Sequence, residues 1–231
     1  MSQSPNSILN SMPQNIFAAV QPHLKTVNLV FGYVTAETEQ PVSKVYFPHS
    51  GVISLVVEMQ VGDMIETAMI GRDGVANATS ALDGKMSLQK GLVQIDGAAS
   101  VISADALGSL ADEFKPFRSI LIRHEQVLLA QAQQSAGCNA SHSVEARMCR
   151  WLLRIRDLTQ SDEINLTQEF LGQMLGVRRT SVSLVASTLQ SAGWLKYRRG
   201  HIWITDVEGL KSGTCECYDR VRSQYERLLA V

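Results

Sequence analysis

Hydrophobic and polar positions divide the chain into a strand-rich first half and a helix-rich second half. Between residues 27 and 102, short β-branched runs alternate with turn residues, and this even spacing predicts a compact barrel or roll. The predicted strand segments read VNLVFGYV, KVYFPHSG, VISLVVEM, MIETAMIG and GLVQIDGAASVI. One helical interruption is expected from Asp73, as its N-cap, to about Leu82. The first fifteen residues predict only a flexible or helical lead-in.

A long helix is predicted after the roll. Pro116 suits a first helical position, and about five turns without Gly or Pro follow it. Spacing of four and three selects a seam that is apolar at its start and polar at its end, and we predict that this seam forms a homodimer interface. Its residues are Phe117, Leu121, His124, Leu128 and Gln131, with Ser135 at the polar end. The alternative is that the helix simply packs on the roll.

A second helix is predicted from near Ser143 to Leu158. Its apolar stripe comprises Val144, Met148, Trp151, Leu152 and Ile155. The opposite face carries Arg147, Arg150 and Arg154, for which we favour a solvated basic face over contacts with phosphates.

Two shorter helices and a hairpin are predicted between Leu166 and Asp206. Thr167 can cap a helix over 168–175, which Gly176 ends, and a second helix runs from about Arg178 and stops before Gly193. Apolar residues share one face in each helix: Phe170, Leu171, Met174 and Leu175 in the first, and Val182, Val185, Ala186 and Leu189 in the second. Downstream, WLKY and HIWI flank a basic tip, which predicts a hairpin wing. The pattern is that of a winged helix-turn-helix, whose second helix enters the major groove of double-stranded DNA.

Candidate DNA contacts follow from that geometry. Residues at the start of the second helix are expected at base edges, and Arg suits guanine O6 and N7. The base-contact candidates are Arg178, Arg179, Thr180, Ser181 and Ser183. The phosphate-contact candidates are Thr167, Lys196, Arg198, Arg199 and His201. A small helical bundle with a surface arginine pair is the alternative.

Charge supports DNA as a partner. The whole chain of 231 residues has a net charge of −1, but residues 1–140 carry −4 and residues 141–231 carry +3. A net +4 is concentrated between Leu166 and Thr205, which suits a phosphate backbone. No apolar stretch approaches the roughly 20 residues of a bilayer span and no export signal opens the chain, so we expect a cytoplasmic protein without a membrane partner.

The cysteines and histidines offer no evident metal or catalytic site. Cys138, Cys149, Cys215 and Cys217 are expected to be reduced, idle thiols, with redox sensing as the alternative. The Cys215-x-Cys217 pair would need two further ligands for zinc, so neither metal nor cofactor is predicted. The roll offers only His49 and, at its entrance, His23. Phosphate loops, dinucleotide fingerprints and hydrolase motifs are absent from the sequence, which predicts no catalytic residue and no enzyme.

These motifs resemble those of the Crp/Fnr superfamily of bacterial transcription regulators over about residues 25–220. The resemblance rests on VYFPHSGVISLVV and IGRDGVAN in the roll, and on HSVEARMCRWLLRIRD and LTQEFLGQMLGVRRTSVS beyond it. It implies an α+β chain with a sensor domain at 1–110, a long dimerisation helix at 111–140 and a winged helix-turn-helix at 141–231. The implied sensor domain is an antiparallel, jelly-roll-like β-roll of the cyclic-nucleotide-binding kind. The resemblance also implies a homodimer on inverted-repeat operators, with RNA polymerase as a further candidate partner.

Departures from the family pattern bear on the signal that is sensed. Cyclic-AMP-responsive members have an arginine that holds the cyclic phosphate, and the corresponding region here reads Lys85-Met86-Ser87-Leu88, so cyclic AMP is not expected. Arg72 and Lys85 are candidates for binding another effector anion, with surface charge as the alternative. No cysteine precedes Cys138, which argues against the amino-terminal iron-sulfur cluster of oxygen-sensing relatives. The effector stays unidentified, and a roll that senses nothing and serves as a scaffold is the alternative.

The DNA-reading helix also departs from the family pattern. Relatives of the catabolite-activator type have Arg-Glu and a later Arg there, where this chain has Arg179, Thr180 and Leu184. Only Arg179 keeps its counterpart, so the resemblance implies a guanine contact for Arg179 and a different operator.

Overall fold

A computed structural model describes residues 4–60, 62–84 and 86–229 of the protein. Two short helices begin it, α1 (Ser7–Asn10) and α2 (Gln14–Val20), followed by a 3-10 turn at Gln21–His23. Their apolar side chains are buried against the roll. The lead-in is therefore helical and packed. Lys85, one of the two candidate anion ligands, lies outside the described residues.

The roll consists of two antiparallel sheets. Its strands are β1 (Lys25–Leu29), β2 (Val34–Ala36), β3 (Lys44–Pro48), β4 (Val52–Glu58), β5 (Met64–Ile70), β6 (Lys90–Ile95) and β7 (Gly97–Ser103). One sheet has the order β1-β7-β3 and the other has the order β2-β6-β4-β5. This arrangement confirms the predicted antiparallel β-roll.

Two predicted strand segments are each divided between the sheets. The first turns at Gly32, whose φ is 81°, so that β1 pairs with β7 while β2 pairs with β6. The second is broken at Gly97, where an added Cβ would lie 2.3 Å from the backbone oxygen of Ser50. Only glycine fits such an approach, and the chain crosses there from one sheet to the other.

The predicted start of the helix at Asp73 is wrong. The backbone at Ala76 is extended and bridges to Tyr46, and helical structure covers only the turn that ends as a π-helix at Ser80–Gly84. Asp73 does not cap a helix because its carboxylate pairs with Arg154 in the second half of the chain. The π-helix ends at Gly84, two residues beyond the predicted end at about Leu82.

Three helices follow the roll: α3 (Ala104–Glu113), α4 (Lys115–Ser141) and α5 (Val144–Thr159). Pro116 lies in the first turn of α4, as predicted. Ser143 caps α5 by accepting a hydrogen bond from the backbone N–H of Ala146.

The remaining elements form a winged helix-turn-helix and a final helix. They are β8 (Glu163–Asn165), α6 (Gln168–Leu175), α7 (Arg179–Ser191), β9 (Leu195–Arg198), β10 (His201–Ile204), α8 (Val207–Gly213) and α9 (Cys217–Leu229). The wing sheet has the order β8-β10-β9. The α+β fold class predicted from the sequence is thereby confirmed.

The predicted dimer seam of α4 is buried within the chain. Phe117 and Leu121 join the core formed by the first helices and the roll, and Leu128 joins the core of the roll. His124 accepts a hydrogen bond from the backbone N–H of Val75. Gln131 and Ser135 are also buried. In this structure the seam is therefore filled by the roll and α9, as in the alternative that the helix packs on the roll.

A different face of α4 is exposed, and it too repeats every three and four residues. Its members are Ile122, Gln126, Leu129, Gln133, Ala136 and Ala140. Leu129, at the centre of this face, is 59% exposed.

The roll and the winged helix-turn-helix share one hydrophobic core. Val52, Val56 and Met69 of the roll pack in the same cluster as Trp151 of α5 and the apolar side chains of α6 and α7. Beside it the ring of Phe31 packs on that of Phe170, with 5.2 Å between their centroids. Across the described residues, every helix is too short or too polar to cross a membrane.

Candidate nucleic-acid interface

The turn between α6 and α7 is held rigidly by its caps. Thr167 caps α6 because its side-chain oxygen accepts a hydrogen bond from the N–H of Phe170 at 3.2 Å. Gly176 ends α6 with φ at 62°, as predicted from the sequence. A Cβ at Gly172 would approach the backbone oxygen of Val177 to 2.9 Å, so glycine there allows close packing of the turn. These contacts fix the angle at which α7 is presented.

The first residues of α7 project from this turn. Arg178 occupies the N-cap position, and its side chain makes no capping hydrogen bond. Arg178, Arg179 and Thr180 are exposed, whereas Ser181 is half-buried. Neither arginine forms an ion pair with any residue that the structure describes. Two guanidinium groups are thus available at a helix end for an acceptor outside the chain.

Ser183 is engaged inside the protein. Its hydroxyl lies 2.6 Å from the side-chain oxygen of Gln168 and 3.1 Å from the backbone oxygen of Arg179. These contacts attach α7 to α6, so in this structure Ser183 positions the helix and its hydroxyl is not free for a base. Leu184, which stands where the resembling family has an arginine, was not among the predicted contacts, yet its side chain is 71% exposed, one turn beyond Thr180.

The wing is a tight two-residue hairpin. Arg198 pairs with His201, and both residues between them have positive φ, 50° at Arg199 and 85° at Gly200. Positive φ at both central residues defines a type I′ turn, which matches the right-handed twist of the two strands and favours glycine at its second central position. Lys196, Arg198, Arg199 and His201 are all exposed. His201 lies 3.5 Å from Glu163, while the described chain offers no carboxylate partner to the other three.

Tyr197 joins the wing to both helices. Its hydroxyl donates to the backbone oxygen of Leu166 at 3.3 Å and accepts a hydrogen bond from the N–H of Gln168 at 3.1 Å. Its backbone N–H donates to the side chain of Gln190 at 2.9 Å. The exposed cations of α7 and of the wing are therefore held on one unit.

Arg147, Arg150 and Arg154 of α5 are buried, which overturns the prediction of a solvated basic face. Arg154 pairs with Asp73 at 2.7 Å and lies over the ring of Tyr225 at 4.5 Å. Arg147 donates to the backbone oxygen of Leu175. Arg150 interacts electrostatically with the buried carboxyl of Glu66. Because α5 is covered by the roll, α6 and α9, these cations serve contacts within the chain.

Of the two candidate anion ligands, Arg72 is the one that the structure describes. Arg72 lines a surface cleft beside Asp157, Arg222 and Glu226, between α5 and α9. The roll has its own cleft of about 190 Å³, which lies against α4. Its lining residues include Asn77, Thr79, Ser87 and Glu125, and no cation is among those that the structure describes.

Glu125 gives this cleft its polarity. The hydroxyl of Thr79 donates to its carboxylate at 3.0 Å. Burial raises the pKa of Glu125, although the hydrogen bond from Thr79 opposes that rise. A carboxyl group in this place repels an anionic ligand and favours a neutral or cationic one.

Comparison with known proteins agrees with this geometry. Residues 146–212 match the model of the Crp-like helix-turn-helix domain. The chain matches no curated protein sequence. Among solved structures, a Crp/Fnr-family transcriptional regulator from Thermus thermophilus is similar, with 18% identity, a TM-score of 0.67, and coverage of 84% of this chain and 98% of that one.

Two further structures show the same fold. FixK2 from Bradyrhizobium japonicum has 16% identity and a TM-score of 0.71, with 83% of this chain and 98% of that chain covered. The c-di-GMP-responsive regulator CLP from Xanthomonas campestris has 14% identity and a TM-score of 0.66, with 83% and 99% covered. Crp/Fnr proteins are transcriptional regulators and not enzymes, in agreement with the sequence-based prediction. The chain therefore carries a Crp-like DNA-binding helix-turn-helix domain, at residues 146–212, within the fold of the Crp/Fnr family of transcriptional regulators.

Proposed function

We propose that the protein is a homodimeric, sequence-specific transcription regulator that binds a two-fold symmetric operator. The observation that carries this proposal is the exposed, unpaired arginine pair at the start of α7, held on one unit with a basic wing. A reading helix enters the major groove with its first residues at the base edges, while basic loops contact phosphates. The proposed units remain 1–110, 111–140 and 141–231.

Arg179 and Leu184 are the proposed readers of sequence. Arg179 reaches guanine O6 and N7, with Arg178, Thr180 and Ser181 beside it. Leu184 is exposed one turn further along α7, where an apolar side chain suits the methyl group of thymine. Thr167, Lys196, Arg198, Arg199 and His201 hold phosphates, and they set affinity rather than sequence preference. RNA polymerase is a predicted further partner.

The homodimer forms through the exposed face of α4, from Ile122 to Ala140. The residues of this face alternate at spacings of four and three, which suits a two-stranded seam: Ile122 and Leu129 are apolar, and Gln126 and Gln133 are polar. The small residues Ala136 and Ala140 permit close approach of two helices. Each dimer then presents two α7 helices, which places the half-sites about 34–36 Å apart.

The proposed sensor site is the cleft between the roll and α4. Its volume of about 190 Å³ lies below the usual range for drug-sized ligands, and Glu125 places an acidic group among its described lining residues. A small neutral or cationic effector fits this chemistry better than a cyclic nucleotide. An effector bound there would contact α4 directly and so bias the dimer helix.

Selection of binding sites from random double-stranded DNA tests the main proposal. The purified chain is used at about 150 mM salt, which suppresses non-specific phosphate binding. Recovery of an inverted repeat with half-sites one helical turn apart supports a dimeric reader. Arg179→Ala should relax one position of each half-site, while Arg220→Ala, on the exposed side of α9, is the matched control.

Other outcomes are decisive as well. Enrichment of a single half-site would contradict the dimer and leave the reading helix supported. The selection is repeated in the presence of any metabolite that raises the thermal stability of the protein. If no DNA motif is enriched in either selection, sequence-specific DNA binding is contradicted. If none of the metabolites tested raises the thermal stability of the protein, a roll that binds no effector is favoured.

A further inference from the structure

Four potential metal ligands meet where α4 ends and α9 begins. Cys138 is in the last turn of α4, and His142 follows that helix directly. Cys215 precedes α9, and Cys217 is its first residue. One donor atom from each side chain lies within 4.8 Å of each of the other three. The Cys215-x-Cys217 pair, which offers only two ligands in the sequence, therefore gains two more in the fold.

The spacing of the donors fits a single tetrahedral ion. The sulfur atoms of Cys138 and Cys215 are 3.6 Å apart, as are the sulfur of Cys217 and Nδ1 of His142. With zinc–sulfur bonds of about 2.3 Å, the edges of a tetrahedron are about 3.8 Å long. An iron-sulfur cluster places several irons between its ligands and needs cysteine sulfurs farther apart.

The surroundings support the ligands in the manner of a structural site. Cys138, Cys215 and Cys217 are buried, and His142 is mostly buried. Nε2 of His142 lies 3.3 Å from a carboxylate oxygen of Glu216, which leaves Nδ1 directed at the sulfurs. Metal-binding histidines commonly use their second nitrogen in this way. The side-chain amide of Gln134 donates to the sulfur of Cys217 at 2.9 Å.

Buried positive charge adjoins the cluster. Arg147 and Arg150 both interact electrostatically with Cys138, and both are buried. The Nε of each has no hydrogen-bond partner among the described residues. Three thiolates, one neutral imidazole and a divalent ion carry a net charge of −1, which these guanidinium groups offset.

We propose that Cys138, His142, Cys215 and Cys217 bind one zinc ion in a closed structural site. Each of the three thiols releases its proton when the ion binds, and no electron is transferred. The site joins the end of α4 to the start of α9, beside the Ser141–Ser143 junction that leads into the DNA-binding domain. Zinc therefore fixes the junction through which the long helix and the reader are connected.

Metal content and cobalt spectroscopy test the proposal on the full chain, purified under reducing conditions without a metal-affinity step. We expect about one zinc per chain after dialysis against a weak chelator. Replacement of the zinc by Co²⁺ should give the intense visible bands of a tetrahedral site with thiolate ligands. Cys217→Ser and His142→Ala should each lose most of the bound metal and the Co²⁺ bands. His142→Ala is the milder variant because that side chain is partly exposed.

Cys149→Ser is the matched control, since it removes a buried thiol that is outside the cluster. It should keep the metal stoichiometry of the original chain. A folded, reduced chain that holds no zinc and shows no tetrahedral Co²⁺ spectrum would overturn the proposal. Equal metal loss in Cys149→Ser and Cys217→Ser would overturn it too. These readouts involve no DNA, so their failure is distinct from failure of the proposed function.

Discussion

The carboxylate of Glu66, in β5 of the roll, accepts a hydrogen bond from the indole N–H of Trp151, in α5, at 3.0 Å. The hydroxyl of Ser54 lies 2.6 Å from the other carboxylate oxygen and also contacts the side-chain oxygen of Gln94. Ser54 donates to the carboxylate of Glu66, so the polar side chains of β4 and β5 and the indole of α5 form one buried network. Through Glu66, a polar group of the roll is bonded to the first helix of the DNA-binding domain.

Burial raises the pKa of Glu66 from its ordinary value of 4.5 to about 7, although Ser54, Trp151 and the nearby Arg150 and Arg154 all oppose that rise. The unfolded chain loses this proton near pH 4.5, whereas the folded chain keeps it until about pH 7. The stability that Glu66 contributes is therefore complete below pH 4.5 and is lost as the pH rises through 7.

We predict that Glu66→Gln removes this loss, which is on the order of 3 kcal/mol. The measurement is the free energy of unfolding by urea at about pH 5 and about pH 8. His124 has the opposite slope, because burial lowers its pKa to about 4, so the difference between variant and original isolates Glu66. Glu113→Gln, at an exposed carboxylate, is the control. Parallel pH profiles for Glu66→Gln and the original chain would contradict the prediction.

The elements whose signals are local were predictable from the sequence. Thr167 and Gly176 define the ends of α6 to the residue, and the apolar spacing of Val182, Ala186 and Leu189 identifies the buried face of α7. Capping and periodicity depend on neighbours within one or two turns, which a sequence displays directly.

Features that depend on distant partners were not predictable in this way. In the sequence, Arg147, Arg150 and Arg154 of α5 resemble a solvated face, but Arg154 pairs with Asp73, which lies 81 positions earlier in the chain. The same holds for Cys217 and His142, which are 75 positions apart. The seam of α4 was selected by its spacing, yet α4 has two faces with such spacing, and only the placement of the roll and α9 decides which one is buried.

The ion pair between Asp73 and Arg154 should be important for stability. Asp73→Asn would leave a buried guanidinium without its counter-charge, which we expect to cost about 3 kcal/mol in free energy of unfolding. Asp112→Asn is the matched control, since Asp112 pairs with Arg118 at the same 2.7 Å distance but with its side chain 76% exposed. There we expect a loss below about 1 kcal/mol. Equal losses in the two variants would show that burial does not set the strength of the Asp73 pair.

Reading and anchoring residues should respond differently to truncation. Arg179→Ala should cost about 1 to 3 kcal/mol on the selected operator and relax one base position. Arg199→Ala, in the wing, should weaken specific and random DNA alike and reduce the slope of binding against salt concentration by about one. The measurement is the dissociation constant of each variant for the selected operator and for random DNA at several salt concentrations. Equal losses on specific and random DNA for Arg179→Ala would contradict its role as a reader.

Dimerisation through the exposed face of α4 predicts a change of mass on a single substitution. Leu129→Glu places a charge at the centre of that face, where two copies would bring their carboxylates together in the interface. The variant should sediment at the 25.4 kDa mass of one chain, while the original protein sediments at twice that mass. It should also bind an inverted repeat more weakly, because the two half-sites are no longer linked.

Val30→Glu is the matched control for this experiment, since Val30 is 60% exposed, lies on the roll and is equally apolar. It should keep the mass of the dimer and its affinity for the inverted repeat. Folding of both variants can be verified from their thermal unfolding, because neither side chain contributes to the core. A Leu129→Glu protein that is folded and still dimeric would exclude this face of α4. A Phe117→Tyr protein that is folded and still dimeric would not test the interface, because Phe117 is buried within its own chain.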